Sequence, residues 1–183
     1  MAKHVSVLLH EAVDALVSNR NGFYVDGTYG RGGHSTVILD KLSEHGTLLA
    51  IDKDLDAIAA GQKHFGDEVR ITFRHGSFAY LKGFLDDIGR KCVSGILLDL
   101  GISSPQLAAA DRGFSFLTDG PLDMRMDTTN GQSAAEWLRE ATEAHIAAVI
   151  REYGEEKYSK RIAGAIVRER LKAPIETTAQ LAS

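Results

Sequence analysis

Three aspartates, Asp26, Asp52 and Asp99, each stand at or just after the end of a short apolar run. The first of them opens a glycine-rich nonapeptide, Asp26-Gly27-Thr28-Tyr29-Gly30-Arg31-Gly32-Gly33-His34. Glycine lacks a Cβ, so its backbone reaches dihedrals that other residues avoid and lets a ligand come close. A carboxylate at the tip of the next strand, roughly 20 residues beyond such a turn, can accept hydrogen bonds from ribose hydroxyls. Asp52, after the apolar run Thr47 to Ile51, stands there. No Gly-Lys-Ser or Gly-Lys-Thr follows the glycines, so the loop supplies neither a phosphate lysine nor a magnesium hydroxyl. The ligand this pattern suits is a nucleoside. The same glycines could serve only a tight turn, and each aspartate only a helix cap; it is the three in register that favour a cleft.

The elements needed to position these groups can be read from periodicity. A helical segment at 11–17 precedes strand 23–25, helix 33–43, strand 47–51, helix 54–64, strand 69–74, helix 77–88 and strand 93–98. This alternation gives an α/β fold, a doubly wound half-sheet whose ligands bind beyond the carboxyl ends of the strands. Strand 93–98 is nearly all apolar, as a parallel strand covered by helices should be, although a sheet of four strands leaves it at an edge. The third strand runs into His75-Gly76-Ser77-Phe78, where Ser77 could cap the next helix and Phe78 could lie against a flat ring. From Gly101 to Gly131 turn residues accumulate without periodicity, and beyond them Ser133 to Leu138, Glu143 to Ile150 and Glu155 to Leu171 carry helix-spaced apolar positions. A further helix is expected to begin at Thr177 or Thr178.

Composition narrows the function classes. The 183 residues, 44% apolar and 25% charged, are those of a water-soluble globular protein, and the formal charge of −4 does not announce a nucleic-acid binder. There is no 18-residue apolar run and no signal peptide pattern after Lys3-His4, so a cytoplasmic protein is expected. The single cysteine, Cys92, excludes an intrachain disulfide and is expected as a partly buried free thiol. No metal site is expected. The seven histidines are scattered, and Asp119, Asp123 and Asp127 lack the other oxygen ligands of a calcium loop. Asp123 and Asp127 are expected to pair with Arg125 and Arg112 or to cap turns.

Blocks along the whole chain resemble one family. They are His4 to Val13, the cassette Asp26 to His34, Leu49-Ala50-Ile51-Asp52-Lys53-Asp54, and Asp99-Leu100-Gly101-Ile102-Ser103-Ser104-Pro105-Gln106-Leu107. Further blocks are Arg112 to Phe116, Pro121 to Asp127, Ala134 to Leu138 and Tyr153-Gly154-Glu155-Glu156. In these the chain resembles the RsmH (MraW) family of bacterial 16S ribosomal RNA cytosine-N4 methyltransferases, which use S-adenosylmethionine. The resemblance implies a class I, Rossmann-like methyltransferase half-sheet at 1–104, followed by a helical inserted substrate-recognition domain at 105–183. It also implies that both are incomplete, the chain being an amino-terminal portion of a longer protein. Carried over by position, Gly32, Gly33 and His34 correspond to the backbone segment that holds the cofactor and Asp52 to the ribose-binding acid. Phe78 corresponds to the residue flanking the adenine, and Asp99 and Gln106 to further cofactor-side contacts.

Methylating an exocyclic cytosine amine requires an acceptor for the amine hydrogen, because the nitrogen lone pair is delocalised into the ring. Asp99 is the candidate catalytic carboxylate, alongside its implied cofactor contact. Ser103 and Ser104 could orient the base or only hold their loop. The partner implied is 16S rRNA in the small ribosomal subunit. Residues 151–172 carry a local excess of three positive charges, with Lys157, Arg161 and Arg168 near one helical face beside an apolar line of Tyr158, Ile162 and Ile166. Such a stripe could meet phosphates, or be an ordinary solvated face. A truncated chain that binds a nucleoside without catalysis is the alternative function. A dinucleotide oxidoreductase is disfavoured because no second nucleotide half is present.

Overall fold

A computed structural model describes residues 8–183, so the His4 to Val7 part of the first family block and the Lys3-His4 reading lie outside the described residues. The chain divides into two compact units, ending and beginning at Ser103 and Ser104. In the first, α1 (Leu9–Leu16) precedes β1 (Phe23–Asp26), α2 (Gly33–Lys41), β2 (Thr47–Asp52), α3 (Leu55–Phe65), β3 (Ile71–His75), α4 (Leu81–Asp87) and β4 (Gly95–Leu97). The strand order is β3-β2-β1-β4. All pairings are parallel, with Phe23 opposite Thr47, Tyr24 opposite Gly95 and Leu48 opposite Ile71.

Side chains alternate across a strand, and the sequence fills both faces. Tyr24, Leu48 and Leu97 pack with Val13 of α1 and with Ile38 and Leu39 of α2. Phe23, Val25, Leu49 and Ile51 point the other way, onto Leu81, Phe84 and Leu85 of α4. Ala50 leaves room for Tyr29 and for Ala57 of α3. The order of strand addition reverses at β1, with β2 and β3 on one side and β4 on the other, and in open parallel sheets ligands bind beyond the carboxyl ends of the strands at such a switch point.

Three expectations change. The strand expected at 93–98 is only Gly95–Leu97, pairs among the described residues with β1 alone, and leaves Ile96 and Leu98 nearly half exposed rather than covered. Because β4 starts only at Gly95, Cys92 lies in the preceding loop and is exposed, not partly buried. The helix expected at 77–88 starts as a single 3-10 turn, Phe78–Tyr80, with the Ala79 N–H donating to the Ser77 hydroxyl oxygen at 3.2 Å, before α4 begins.

The second unit is helical: α5 (Ser104–Ala108), α6 (Ala134–Glu140), α7 (Glu143–Glu152), α8 (Ser159–Arg170) and α9 (Thr178–Ala182). Its core joins Leu138, Ala141, Ile146, Ala147, Ala163 and Ile166 to Leu122. Leu122 comes from the stretch expected to be irregular. That stretch is tied down at Pro121, which forms an isolated antiparallel bridge with Thr177, and by the Leu122 N–H donating to the Glu176 carbonyl at 2.8 Å. Arg125 forms a two-pronged pair with Asp123, through Nε at 2.9 Å and Nη2 at 2.6 Å, and Asp127 accepts from the Thr129 N–H at 2.9 Å. Arg112 donates to the carbonyls of Arg125 and Met126. The helix expected from Glu155 starts four residues later. Glu155 has a φ of 51°, and the N–H groups of Gly154 and Glu156 both donate to the Ile150 carbonyl, which closes α7 in a tight turn. Among the described residues no helix is long and apolar enough to cross a membrane.

Candidate nucleoside site at the carboxyl ends of the strands

The cassette leaves β1 and is fastened at several points. The Gly27 N–H donates to the Leu97 carbonyl at 2.9 Å and the Tyr29 N–H to the Ile51 carbonyl at 3.0 Å, so the loop is tied to the ends of both neighbouring strands. Gly30 and Gly32 have φ of 56° and 75°, the left-handed region that glycine enters without strain. A Cβ on Gly32 would stand 2.5 Å from the Tyr29 hydroxyl oxygen, so the bare backbone lies directly on that ring. Gly32 is also the residue before α2, which starts without any side-chain cap. The helix therefore presents its first N–H groups, and the positive end of its dipole, at Gly33 and His34.

Asp52 is half-buried at the tip of β2. One carboxylate oxygen accepts the Gly30 N–H at 2.7 Å and the other the Asp54 N–H at 2.8 Å. Each oxygen can accept a second hydrogen bond, so the group that fixes the glycine loop also keeps acceptor capacity for a diol. Phe78 is 37% exposed, and its Cβ lies 3.2 Å from where a Cβ on Gly27 would stand. A side chain at Gly27 would push Phe78 and Leu98 away from the end of β1.

Asp99 follows β4, its backbone N–H donating to the Thr28 hydroxyl oxygen at 2.6 Å and its side chain about half exposed. Buried His34 brings Nδ1 to 3.7 Å from the Asp99 carboxylate, an ion-pair distance if the ring is protonated and too long for a hydrogen bond. Gly30, Gly32, Gly33, His34, Asp52, Phe78 and Asp99 thus come from β1, β2, β3 and β4 to one end of one sheet. Gln106 belongs to α5 in the second unit, where it is buried and its Nε2 donates to the Met126 sulfur at 3.5 Å.

Asp26 corrects the expectation that it lines the cleft. It is fully buried, and its carboxylate accepts the Thr28 N–H at 3.1 Å and the Ser35 hydroxyl at 2.7 Å. It fastens the loop to the first turn of α2 and is closed off from solvent. Burial is the main cause that raises its pKa to about 6, opposed by these two hydrogen bonds. A raised carboxyl pKa contributes stability that is complete below the unfolded value near 4 and is lost as pH climbs through about 6. Asp26→Asn should therefore flatten the pH dependence of unfolding. Relative to the parent, the variant is expected to gain up to about 3 kcal/mol between pH 4 and pH 7 in urea titrations. Parallel profiles for the two proteins would refute the buried, proton-linked role.

A carboxylate with spare acceptors, an open helix start, a close-packed glycine backbone and an exposed ring meet at the switch point of a parallel sheet. That arrangement suits a nucleoside carrying a polar tail. A family model described as the MraW methylase family matches residues 1–183. The chain belongs to the MraW methylase family. It is 54% identical over 181 residues to a protein of Nitrosospira multiformis, covering 99% of this chain and 57% of that protein. It is 54% identical to one from Alteromonas mediterranea, covering 98% and 58%, and 53% identical to one from Neisseria meningitidis serogroup B, covering 98% and 55%. All three are named ribosomal RNA small subunit methyltransferase H. The chain spans little more than half the length of these relatives.

Reading this MraW-family chain residue by residue missed two groups that build the site. Thr28 ties the β4 loop to the cassette, and Tyr29 supplies the ring under Gly32; both are in the nonapeptide, but their partners lie elsewhere in the chain or behind the backbone. Burial pushes the Tyr29 phenol up to about 12, which suits a packing role and not acid chemistry. Among the described residues no group of three or more His, Cys, Asp or Glu could hold a metal ion.

Proposed function

We propose that this chain binds S-adenosylmethionine beyond the carboxyl ends of β1, β2 and β4, and that it is the amino-terminal part of an enzyme that methylates the N4 amine of a cytosine in 16S rRNA. The observation that carries the reading is Asp52, clamped by two backbone N–H groups and left with acceptors for a ribose diol, beside a glycine loop that leaves no room for a Cβ at Gly27 or Gly32. The residues present fit that cofactor. Asp52 would hold the ribose and Phe78 would flank the adenine. Gly32, Gly33 and His34, at the uncapped start of α2, would take the carboxylate of the amino-acid tail.

The bound cofactor supplies a methyl group made electrophilic by its sulfonium. The chain's own contribution to transfer is positioning and charge. Asp99, its backbone fixed by Thr28 and its carboxylate open to solvent, would accept a hydrogen bond from the exocyclic amine and offset positive charge growing on the nitrogen. His34, behind Asp99, would limit the directions the carboxylate can take. A target base presented in an RNA loop reaches such a crevice without extraction from a duplex. The relatives are named for small-subunit ribosomal RNA, and a soluble protein acting on the 16S rRNA of the small subunit in the cytoplasm is the setting proposed here.

The chain spans little over half the length of its relatives, so cofactor binding without transfer is the second reading of the isolated 183 residues. Labelled methyl donor incubated with small subunits, followed by nuclease digestion and mass analysis of the nucleosides, separates the cases. N4-methylcytidine is the expected product of the enzyme. Cofactor binding with no transfer assigns this chain the second reading, and a methyl group on any other atom overturns the N4 proposal.

A further inference from the structure

The predicted basic stripe of α8 is not continuous, and its rearrangement is informative. Tyr158 leaves the apolar line, sits just before α8 and is 48% exposed. The Lys157 Nζ lies 4.9 Å and the Arg161 Cζ 4.8 Å from the centre of its ring. Arg168 turns elsewhere: a Cβ on Gly164 would stand 3.3 Å from its Nη1 and 3.4 Å from Glu143 Oε1, so these two side chains meet over that glycine. Arg170 donates to the carbonyls of Leu138 and Ala141 at the end of α6. Lys172 pairs with Glu169 at 2.8 Å. Four cations are gathered at the α7–α8 turn, where Arg151, Lys157, Lys160 and Arg161 share a surface concavity with Glu155 and Glu156. The Glu156 carboxylate is directed to the Tyr158 N–H at 2.6 Å. A surface concentrated in cations, with an exposed ring held between charged neighbours, thus stands on a protein of net charge −4.

We infer that the α7–α8 turn is a docking surface for single-stranded RNA, with Lys157 and Arg161 meeting backbone phosphates and Tyr158 stacking on a base. Stacking on the ring holds the two cations near one place before RNA arrives, which lowers the entropy lost when they engage. Phosphates are the complement of the charge, and an exposed tyrosine beside a guanidinium is the chemistry that takes unstacked bases. An acidic peptide would use the cations and leave the ring without a role. The inference rests on the proposed RNA-methylating function and names the surface that would hold the substrate.

The test is fluorescence anisotropy of the 183-residue chain with a labelled single-stranded RNA oligonucleotide over a salt series. The Lys157→Ala/Arg161→Ala variant should bind about 10-fold more weakly, and its slope of log affinity against log salt should be shallower by about 1.4, from about 0.7 per phosphate contact. Tyr158→Ala should weaken binding by about 10-fold with the slope nearly unchanged. All variants should keep the parent's cofactor binding, which reports on the first unit and separates failure here from failure of the proposed function. No RNA binding by the parent chain, variants that bind like the parent, or equal competition by polyglutamate would each overturn the inference.

Discussion

Asp52→Ala should weaken S-adenosylmethionine binding on the order of 100-fold, as expected for the loss of two hydrogen bonds to a charged acceptor. Two effects add in this variant. The ribose loses its acceptors, and the Gly30 and Asp54 N–H groups lose the carboxylate that holds them at 2.7 and 2.8 Å. A cofactor analogue lacking the 2′-hydroxyl separates the two. The parent should bind it more weakly than the natural cofactor, while the variant should bind both equally, because the group that distinguishes them is gone. Titration calorimetry gives both values. An Asp52→Ala protein that binds within threefold of the parent would remove Asp52 from the site.

Gly32→Ala should cost the first unit a large part of its stability. The residue sits at φ 75°, and the new methyl would lie 2.5 Å from the Tyr29 hydroxyl oxygen and 2.8 Å from its ring. Left-handed backbone costs an alanine about 1–2 kcal/mol, and overpacking adds about 1–3 kcal/mol. The sum is a large part of the stability of a domain of this size. Gly30→Ala is the internal comparison: its φ is 56°, but the nearest atom to its Cβ is the Thr28 carbonyl oxygen at 3.8 Å, so only the backbone cost applies. Urea unfolding should rank the two variants with Gly32→Ala clearly the less stable, and Tyr29→Phe should restore part of that loss by removing the hydroxyl. Equal destabilisation at the two glycines would show that the ring does not lie against the loop.

The central strands were legible because they are runs of apolar residues bounded by turn residues: 23–25 and 47–51 each fall within one residue of β1 and β2. The ends of the sheet were less so. Val93 to Leu98 is nearly all apolar, but composition does not state how many neighbours a strand has, and with β1 as its sole partner among the described residues β4 closes to three paired residues. Asp52 and Phe78 were placed by strand register and loop length, both local quantities. Asp26 was misread because its orientation depends on Ser35, a contact made only once α2 folds back on β1. The stretch before α6 looked irregular because its pairing partner, Thr177, lies more than fifty residues away, and no window along the sequence joins them. Tyr158 matched the spacing of Ile162 and Ile166, yet the turn forced by Glu155 starts α8 after it and leaves the ring with the cations.

The direct test of a nucleoside site at this end of the sheet is a two-dimensional amide spectrum of the labelled chain titrated with the demethylated cofactor product, S-adenosylhomocysteine. Saturable shifts at Gly30, Gly32, Gly33, His34 and Asp52, with the Ala147, Ala163 and Ile166 amides of the second unit's core unmoved, are the expected result. No saturable shift, or shifts that leave the glycine loop and Asp52 untouched, would contradict it.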